Sequence, residues 1–114
     1  MSVVRFQTGP RMSQASVHGD TVYLAGQVNK DVGDVAGQTQ AVLKQIDDLL
    51  KETGSSKEKI LSATIYLADI KTFADMNKSW DAWVVAGQCP SRTTLEAKLA
   101  APEYLVEIAV IAAK

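Results

Sequence analysis

Two charged residues near the C-terminal end of the chain have side chains suited to binding and activating a small acid: Arg92 and, about fifteen residues later, Glu107. The planar guanidinium of an arginine suits a carboxylate, with which it forms two parallel hydrogen bonds. Glu107 stands in an apolar run, where a carboxylate must find a donor, take up a proton, or lie against water or a ligand. Two interpretations remain open: a structural ion pair or solvated edge residues, or a small-acid site anchored by Arg92.

The residues around both side chains alternate as they do in β-strands. Arg92 is predicted to share one face of its strand with Thr94, Glu96 and Lys98, and the other face holds Thr93, Leu95, Ala97 and Leu99. In the last strand, Val106, Ile108 and Val110 share one face, and Glu107 lies opposite with Leu105, Ala109 and Ile111. Glu107 therefore has apolar neighbours whichever face points inward.

Length and composition limit the class of protein. With 114 residues, 46% of them apolar, and a net charge of −1, residues 1–114 are expected to form one globular domain without a basic surface for nucleic acid. No apolar run is long enough to cross a bilayer, and the first residues lack the pattern of a signal peptide. A single cysteine, Cys89, and a single histidine, His18, argue against a disulfide framework or a zinc site, so we expect a cytoplasmic protein.

The remaining chain predicts further strands and two long helices. Gly19-Asp20 joins two alternating segments in the manner of a type II′ hairpin, and Gly54 is placed to end the first helix. A capping box is predicted at Ser55 and Glu58, and Thr72 with Asp75 is predicted to cap the second helix. The predicted elements, in chain order, are an edge strand at 2–7, a hairpin at 12–18 and 21–27, a helix at 38–53, a strand at 60–67, a helix at 72–85 and the two closing strands. The strand at 60–67 has an apolar face (Leu61, Ala63, Ile65, Leu67) and a more polar face (Ser62, Thr64, Tyr66).

Other residues allow both a structural and a functional interpretation. Gly26, near the end of its strand, either relieves crowding at a bend or lets a ligand approach the backbone. Trp80 and Trp83 fit the buried stripe of the second helix better than a stacking platform. His18 is interpreted as a solvated turn residue, and Cys89 as a loop residue.

The order of elements favours an α+β architecture with two helices on one face of a mixed sheet. The strands at 21–27 and 105–113 have apolar residues on both faces, so a monomer would leave one apolar surface uncovered. The sequence therefore predicts a closed homo-oligomer that associates through the sheet.

Short motifs follow one another along the chain: Gly9-Pro10, Gly19, Ala25-Gly26-Gln27, a helix with Gln40, Leu43 and Ile46, residues 64–69, Phe73, Met76-Asn77, Trp80, residues 90–94 and Val106-Glu107-Ile108. Taken in this order, they resemble the RidA family, also called the YjgF family. The similarity extends over essentially the whole chain, and its most specific part is P-x-R followed by V-E-I.

The resemblance implies a chorismate-mutase-like α+β fold and a homotrimer whose sheets form a central barrel, with small-molecule clefts between subunits. It also implies hydrolysis of enamine and imine intermediates such as 2-aminoacrylate to 2-oxo acids and ammonia, without a cofactor or metal. Arg92 matches the arginine that holds the substrate carboxylate, Glu107 matches the glutamate that positions or activates water, and Gly26 matches a backbone position in the cleft.

Other cleft positions depart from the family pattern. Thr94 stands where better-known members have a cysteine, and the backbone of Thr93 is expected to line the pocket. Ala25 replaces a serine, and the segment containing Met12 is one residue longer than in many members and lacks their tyrosine. These departures indicate a divergent branch that keeps the anchor and the acid.

Two other functions remain alternatives. The first is a binding or regulatory module that holds a 2-oxo acid with little catalysis, which the missing tyrosine, serine and cysteine favour. The second is RNA cleavage or translation inhibition, from older family labels. The net charge of −1 and the absence of a general-base histidine argue against that second function.

Overall fold

Two helices pack on one face of a six-stranded sheet in the computed structural model, which describes all 114 residues. The predicted α+β fold class is confirmed. The elements are β1 (Val3–Thr8), β2 (Ser13–His18), β3 (Thr21–Leu24), α1 (Val35–Glu52), β4 (Ile60–Leu67), α2 (Phe73–Trp83), β5 (Ser91–Glu96) and β6 (Val106–Ala113), with short 3₁₀ turns at Lys57–Lys59 and Ile70–Thr72.

The strand order in the sheet is β1-β2-β3-β6-β4-β5. Neighbouring strands are antiparallel except β4 and β5, which run parallel because α2 crosses over between them. The last strand in sequence, β6, therefore lies at the centre of the sheet, whereas β5 forms an edge. This order separates the strand of Glu107 from the strand of Arg92 by one strand, β4.

The β2–β3 hairpin forms at the predicted two-residue loop. Gly19 has a φ of +60°, whereas Asp20 does not adopt a positive φ. A positive φ at the first central residue alone is the requirement of a type II′ turn, so glycine at this position fits the turn without strain.

The core lies between the helices and one face of the sheet. In α1, apolar residues three and four positions apart face the strands, as the sequence pattern predicts. Residues without exposed surface come from both layers and include Val42, Ile46 and Leu50 of α1, Met76 of α2, Ile65 and Leu67 of β4, and Val106 and Ile108 of β6. The predicted face of β6 with Val106, Ile108 and Val110 is the buried one.

The first helix is longer than predicted and begins at Val35 rather than Gln38. Asp34 is its N-cap, and the Asp34 carboxylate accepts a hydrogen bond from the backbone N–H of Gly37 at 2.6 Å. This hydrogen bond pairs a backbone N–H that has no partner within the helix. The helix can therefore begin at Val35 and include Gly37 in its first turn. The predicted stop at Gly54 is confirmed, since Gly54 has a φ of +85° just after the helix.

Two predicted caps are wrong. The hydroxyl of Ser55 donates to the carbonyl of Ala113 at the end of β6, and it is Ser56 that hydrogen bonds to Glu58 and so lowers the pKa of that carboxyl. Thr72 donates its hydroxyl to the carbonyl of Asp69 and caps no α2 backbone donor. In both cases a nearby carbonyl competes for the hydroxyl that the sequence pattern assigns to a cap.

Three strands also depart from the prediction. The strand β3 ends at Leu24 rather than Gln27, and Gln27 keeps only an isolated bridge to Ile108. The register between β4 and β6 shifts between Ile60 and Ser62, so Ile60 is buried and Leu61, predicted on the apolar face, is exposed. The strand β5 ends at Glu96, and the predicted continuation to Leu99 becomes a loop. None of the helices is long and apolar enough to cross a membrane.

Candidate functional site

Arg92 lies on the helix-facing side of the edge strand β5. Its register partner in β4 is Ala63, which is buried beneath the helices. The Nη1 of Arg92 donates a hydrogen bond of 2.7 Å to the Oδ1 of Asn77 in α2. The Cζ of Arg92 lies over two α2 rings, 5.3 Å from the centroid of Trp80 and 5.6 Å from the centroid of Phe73. The guanidinium is thus held by one hydrogen bond and two cation–π contacts.

Thr94 follows on the same side of β5, opposite Ile65. Its Oγ1 is the buried side-chain polar atom that has no hydrogen-bond partner in the chain. A buried hydroxyl without a partner costs free energy, and such groups are concentrated where a ligand, water or partner completes the site. Thr94 and Arg92 therefore present polar groups to the same side of the sheet.

Glu107 lies on the opposite side of the sheet. Its register partner in β4 is Tyr66, and Tyr66 in turn pairs with Leu95 of β5, so these three side chains share the face that no helix covers. Glu107 is half-buried and forms no ion pair. The prediction that Glu107 has apolar neighbours is confirmed in part, since Leu95 and Ala109 share its face and a tyrosine stands beside it.

Gly26 provides the space that the Glu107 side chain occupies. A Cβ atom placed on Gly26 would overlap the Oε2 of Glu107 and lie only 2.9 Å from its Cδ. The next residue, Gln27, pairs with Ile108, donating its N–H at 2.8 Å and accepting at 3.1 Å. The bridge places Gly26 next to Glu107, so the close approach predicted for this glycine is made by the Glu107 carboxylate itself.

A chain of side-chain amides holds the segment around Gly26. Asn29 donates to Gln45 at 2.8 Å, Gln45 donates to Gln27 at 3.1 Å, and Gln27 donates to Gln14 at 2.9 Å. Gln27 also donates to the carbonyl of Ala25 at 3.0 Å. These bonds join α1, β2 and the end of β3, and they border a pocket of about 410 Å³ that the backbone of Gly26 helps to line.

The predicted site residues therefore form two groups. Arg92 and Thr94 lie on the helix side of the sheet, whereas Glu107, Gly26 and the exposed Thr93 belong to the open side. The alternative of a structural ion pair between Arg92 and Glu107 is wrong for a single chain, because alternation along β5 and β6 directs the two side chains to opposite faces.

Two further predicted residues lie near the turns that precede these groups. Ala25 donates its N–H to the carbonyl of Gln14 at 2.9 Å and is directly followed by Gly26. Met12 stands in the loop between β1 and β2, its carbonyl accepting from the N–H of Gly9 at 2.8 Å and its side chain 49% exposed. The structure thus joins Ala25 to the Glu107 group and leaves the Met12 side chain largely in solvent.

Asn77 and Tyr66 were not predicted to belong to the site. Asn77 stands four residues after Phe73 and three before Trp80, a spacing that places all three on one side of α2, but nothing in the sequence pairs that side with Arg92. Tyr66 belongs to the predicted polar face of β4, and only the register shows that it lies beside Glu107. The roles of both residues can be assigned only when the packing of the strands and helices is known.

One other ionisable group with a shifted pKa lies on the outer surface of α1. The carboxylate of Asp48 accepts a hydrogen bond of 2.7 Å from Lys44, which raises the pKa of that amine. The pair is exposed, and exposed ion pairs of this kind contribute little to stability.

The model of the endoribonuclease L-PSP family matches residues 4–114. The RutC family protein YoaB of Escherichia coli is 47% identical over 113 residues, 99% of both chains, and a RutC family protein of Haemophilus influenzae is 45% identical over 98% of both. A YjgF-family crystal structure from Neisseria meningitidis has a TM-score of 0.98 and 46% identity, covering 100% of this chain and 96% of that one.

A more distant crystal structure, a YjgF-family protein from Mycobacterium tuberculosis, keeps the same fold. It is 25% identical, with a TM-score of 0.91, and the match covers 99% of this chain and all of the other. The sequence resemblance is confirmed by both kinds of comparison, and this chain belongs to the YjgF family, which includes the RidA and RutC proteins.

Proposed function

We propose that this protein hydrolyses reactive 2-imino acids, such as the imine of 2-aminoacrylate, to 2-oxo acids and ammonia. Arg92 holds the substrate carboxylate, and Glu107 positions and activates the attacking water. The proposal is supported most by the surroundings of the Arg92 guanidinium and the Glu107 carboxylate in the folded chain. The guanidinium is already fixed by α2 with donors to spare, and the carboxylate is half-buried without an ion-pair partner.

The chemistry needs few groups. The imine carbon of a 2-imino acid is already electrophilic, so water adds to it when a base takes one proton and the nitrogen receives one. The tetrahedral adduct then expels ammonia as its hydroxyl loses a proton, which leaves the 2-oxo acid. In the first step Glu107 accepts a proton from the attacking water while solvent protonates the imine nitrogen. Glu107 then gives its proton to the departing nitrogen and accepts the hydroxyl proton, which it returns to solvent.

A complete site requires two copies of the chain in this proposal. Arg92 and Glu107 occupy opposite faces of one sheet, so Arg92 of one subunit would meet Glu107 of a neighbour. Tyr23, Leu95 and Ile111 leave apolar surface on the open face that a second copy would cover. We infer the homotrimer with a central barrel that the family resemblance implies.

The other predicted residues would line this composite cleft. The hydroxyl of Thr94 lies on the Arg92 side and Thr93 on the Glu107 side, so each subunit contributes one threonine. Gly26 leaves room for the carboxylate of Glu107, and Ala25 and Met12 are proposed to bound the substrate side chain. The proposed reaction uses no cofactor or metal.

The first test generates 2-aminoacrylate and bulkier imines with a partner enzyme and follows release of the 2-oxo acid. Arg92→Ala should abolish binding of the 2-oxo acid, whereas Glu107→Gln should retain binding and slow hydrolysis by about 10²-fold. Arg5→Ala and Glu103→Gln alter exposed residues of the same types and should behave as the native protein does. Native affinity in Arg92→Ala would refute the anchor.

A second test asks whether the site is shared between subunits. Arg92→Ala and Glu107→Gln chains are unfolded, mixed in equal amounts and refolded together. About a quarter of native activity is expected, since about three-quarters of random trimers are mixed and each mixed trimer has one intact site of three. Mixtures no more active than the separate variants would show that both residues come from one chain.

A binding module that holds a 2-oxo acid without hydrolysis is the second candidate. Thr94 offers no thiol, and the loop with Met12 contains no tyrosine, so fewer groups are available for proton transfer. This candidate would be favoured if the protein binds a 2-oxo acid tightly through Arg92 but accelerates the hydrolysis of no imine.

Cleavage of RNA, which the family description names, has less support in this chain. His18, the single histidine, is exposed at the end of β2 and forms no side-chain hydrogen bond. RNA cleavage by general acid–base catalysis requires well-placed proton donors and acceptors, and binding of a polyanion requires clustered positive charge. This chain has a single histidine and a net charge of −1.

A further inference from the structure

The side-chain partners of Arg92 all come from one helix. Phe73, Asn77 and Trp80 stand at positions i, i+4 and i+7 of α2, which places them along one side of the helix. Each contacts the guanidinium of Arg92, through the Asn77 oxygen at 2.7 Å and the two rings at 5.3 and 5.6 Å. The strand supplies the arginine, and the helix determines where its head group lies.

The three contacts constrain the guanidinium in different ways. A neutral amide oxygen accepts a hydrogen bond from one of the five N–H donors of an arginine and does not neutralise the guanidinium. The rings attract the cation without using any of those donors. Trp80 is 5% exposed and Phe73 is 40% exposed, so the contacts extend from the core to the surface. The guanidinium keeps its full charge and four free donors while its orientation is restricted.

We propose that Asn77 is a positioning residue for Arg92, and that α2 holds the guanidinium ready to receive a carboxylate. The inference rests on the proposed function, in which Arg92 binds the carboxylate of the substrate. An arginine side chain free to move would lose rotamer entropy on binding, and a fixed one does not. An acid in place of Asn77 would neutralise Arg92 and occupy the donors that the ligand needs.

A purely structural link between α2 and β5 would explain the same hydrogen bond. It would predict that Asn77→Ala lowers stability alone, whereas loss of a positioning residue weakens ligand binding even at unchanged stability; a carboxylate at position 77 is a second probe. A carboxylate accepts a stronger hydrogen bond from arginine than an amide does, so a structural link would be kept or strengthened. Ligand binding would be weakened, because the anchor would already be paired. Stability and affinity therefore separate in Asn77→Asp.

The experiment measures the affinity of the assembled protein for pyruvate, a small 2-oxo acid, together with the melting temperature. Asn77→Asp should bind pyruvate about 10- to 100-fold more weakly with a melting temperature at or above the native one. Asn77→Ala should bind about 10-fold more weakly because the guanidinium is less restricted. Lys78→Gln is the control, since it changes the net charge by the same amount at an exposed neighbour.

A double-mutant cycle separates the positioning role from the anchor itself. Asn77→Ala should have no further effect on pyruvate affinity in the Arg92→Ala background, because Asn77 acts through Arg92. Native affinity in both Asn77 variants, or a loss that only follows a lower melting temperature, would overturn the positioning role while leaving the anchor in place. Native affinity in Arg92→Ala alone would instead remove the anchor, and the positioning role with it.

Discussion

The two faces of the sheet differ in how many contacts a single chain provides to the charged side chain on each face. On the helix side, Arg92 has an amide oxygen and two aromatic rings as partners, and the strand residues beneath the helices are buried. On the open side, Glu107 lies beside Gly26 and Tyr66 and has no ion-pair partner. Apolar side chains such as Tyr23 and Ile111 remain exposed there.

This difference indicates which half of the site is preorganised. The cation is fixed inside the folded chain at the cost of ordering one long side chain. The carboxylate is placed by the backbone bridge of Gln27 and Ile108 but is left without a charged partner. A carboxylate in this state remains available to a group that approaches the open face.

The largest effect is expected from a charge on the open face. Ile111→Glu places a carboxylate among the exposed apolar residues of this face, and burying it against a second copy would be costly. We expect sedimentation to show folded monomers and imine hydrolysis to be lost. An active assembly of native size would show that the open face is not the interface.

A matched pair of core and surface substitutions compares the two faces directly. Ile65→Ala, on the helix side, should lower the free energy of unfolding by about 2–5 kcal/mol at every protein concentration. The effect of Ile111→Ala should instead depend on protein concentration, because its loss falls on association. Chemical denaturation at several concentrations tests this, and equal concentration-independent losses would erase the distinction between the faces.

A methyl group on Gly26 should affect catalysis more than stability. The atom it would meet is the end of a flexible side chain, so Gly26→Ala displaces the Glu107 carboxylate rather than the backbone. We expect imine hydrolysis to fall by about 10²-fold, since small displacements of reacting groups have effects of this size. Binding of 2-oxo acids, which depends on Arg92, should change little, and a parallel loss of binding would place Gly26 in the anchor site instead.

The smallest effect is expected from removing the unpartnered hydroxyl of Thr94. Thr94→Val retains the shape of the side chain and relieves a buried polar atom, so the free energy of unfolding should rise by about 1 kcal/mol. If the hydroxyl contacts the substrate, pyruvate affinity should fall by about 10-fold at the same time. Higher stability with native affinity would make Thr94 part of the packing alone.

Much of the fold follows from local chemistry along the chain. The bounds of β4, the Gly19 turn, the stop at Gly54 and the buried face of β6 were predictable because each depends on neighbouring residues and on a period of two or 3.6. The cap at Ser55 was not predictable, because the carbonyl that accepts its hydroxyl belongs to Ala113 at the far end of β6. At Thr72 the competing carbonyl of Asp69 is close in sequence, and only the folded turn shows that the hydroxyl donates to it rather than to α2.

The site shows the same division. The residue types and alternation of the chain determined that Arg92 and Glu107 lie in neighbouring segments and that each belongs to a defined face of its own strand. Strand order, which depends on contacts far apart in sequence, decided that β4 lies between β5 and β6 and that the two charges point to opposite sides. The physical reason is that alternation specifies a side chain's face only relative to its own strand, and the assignment of that face to core or solvent requires the packed sheet and helices.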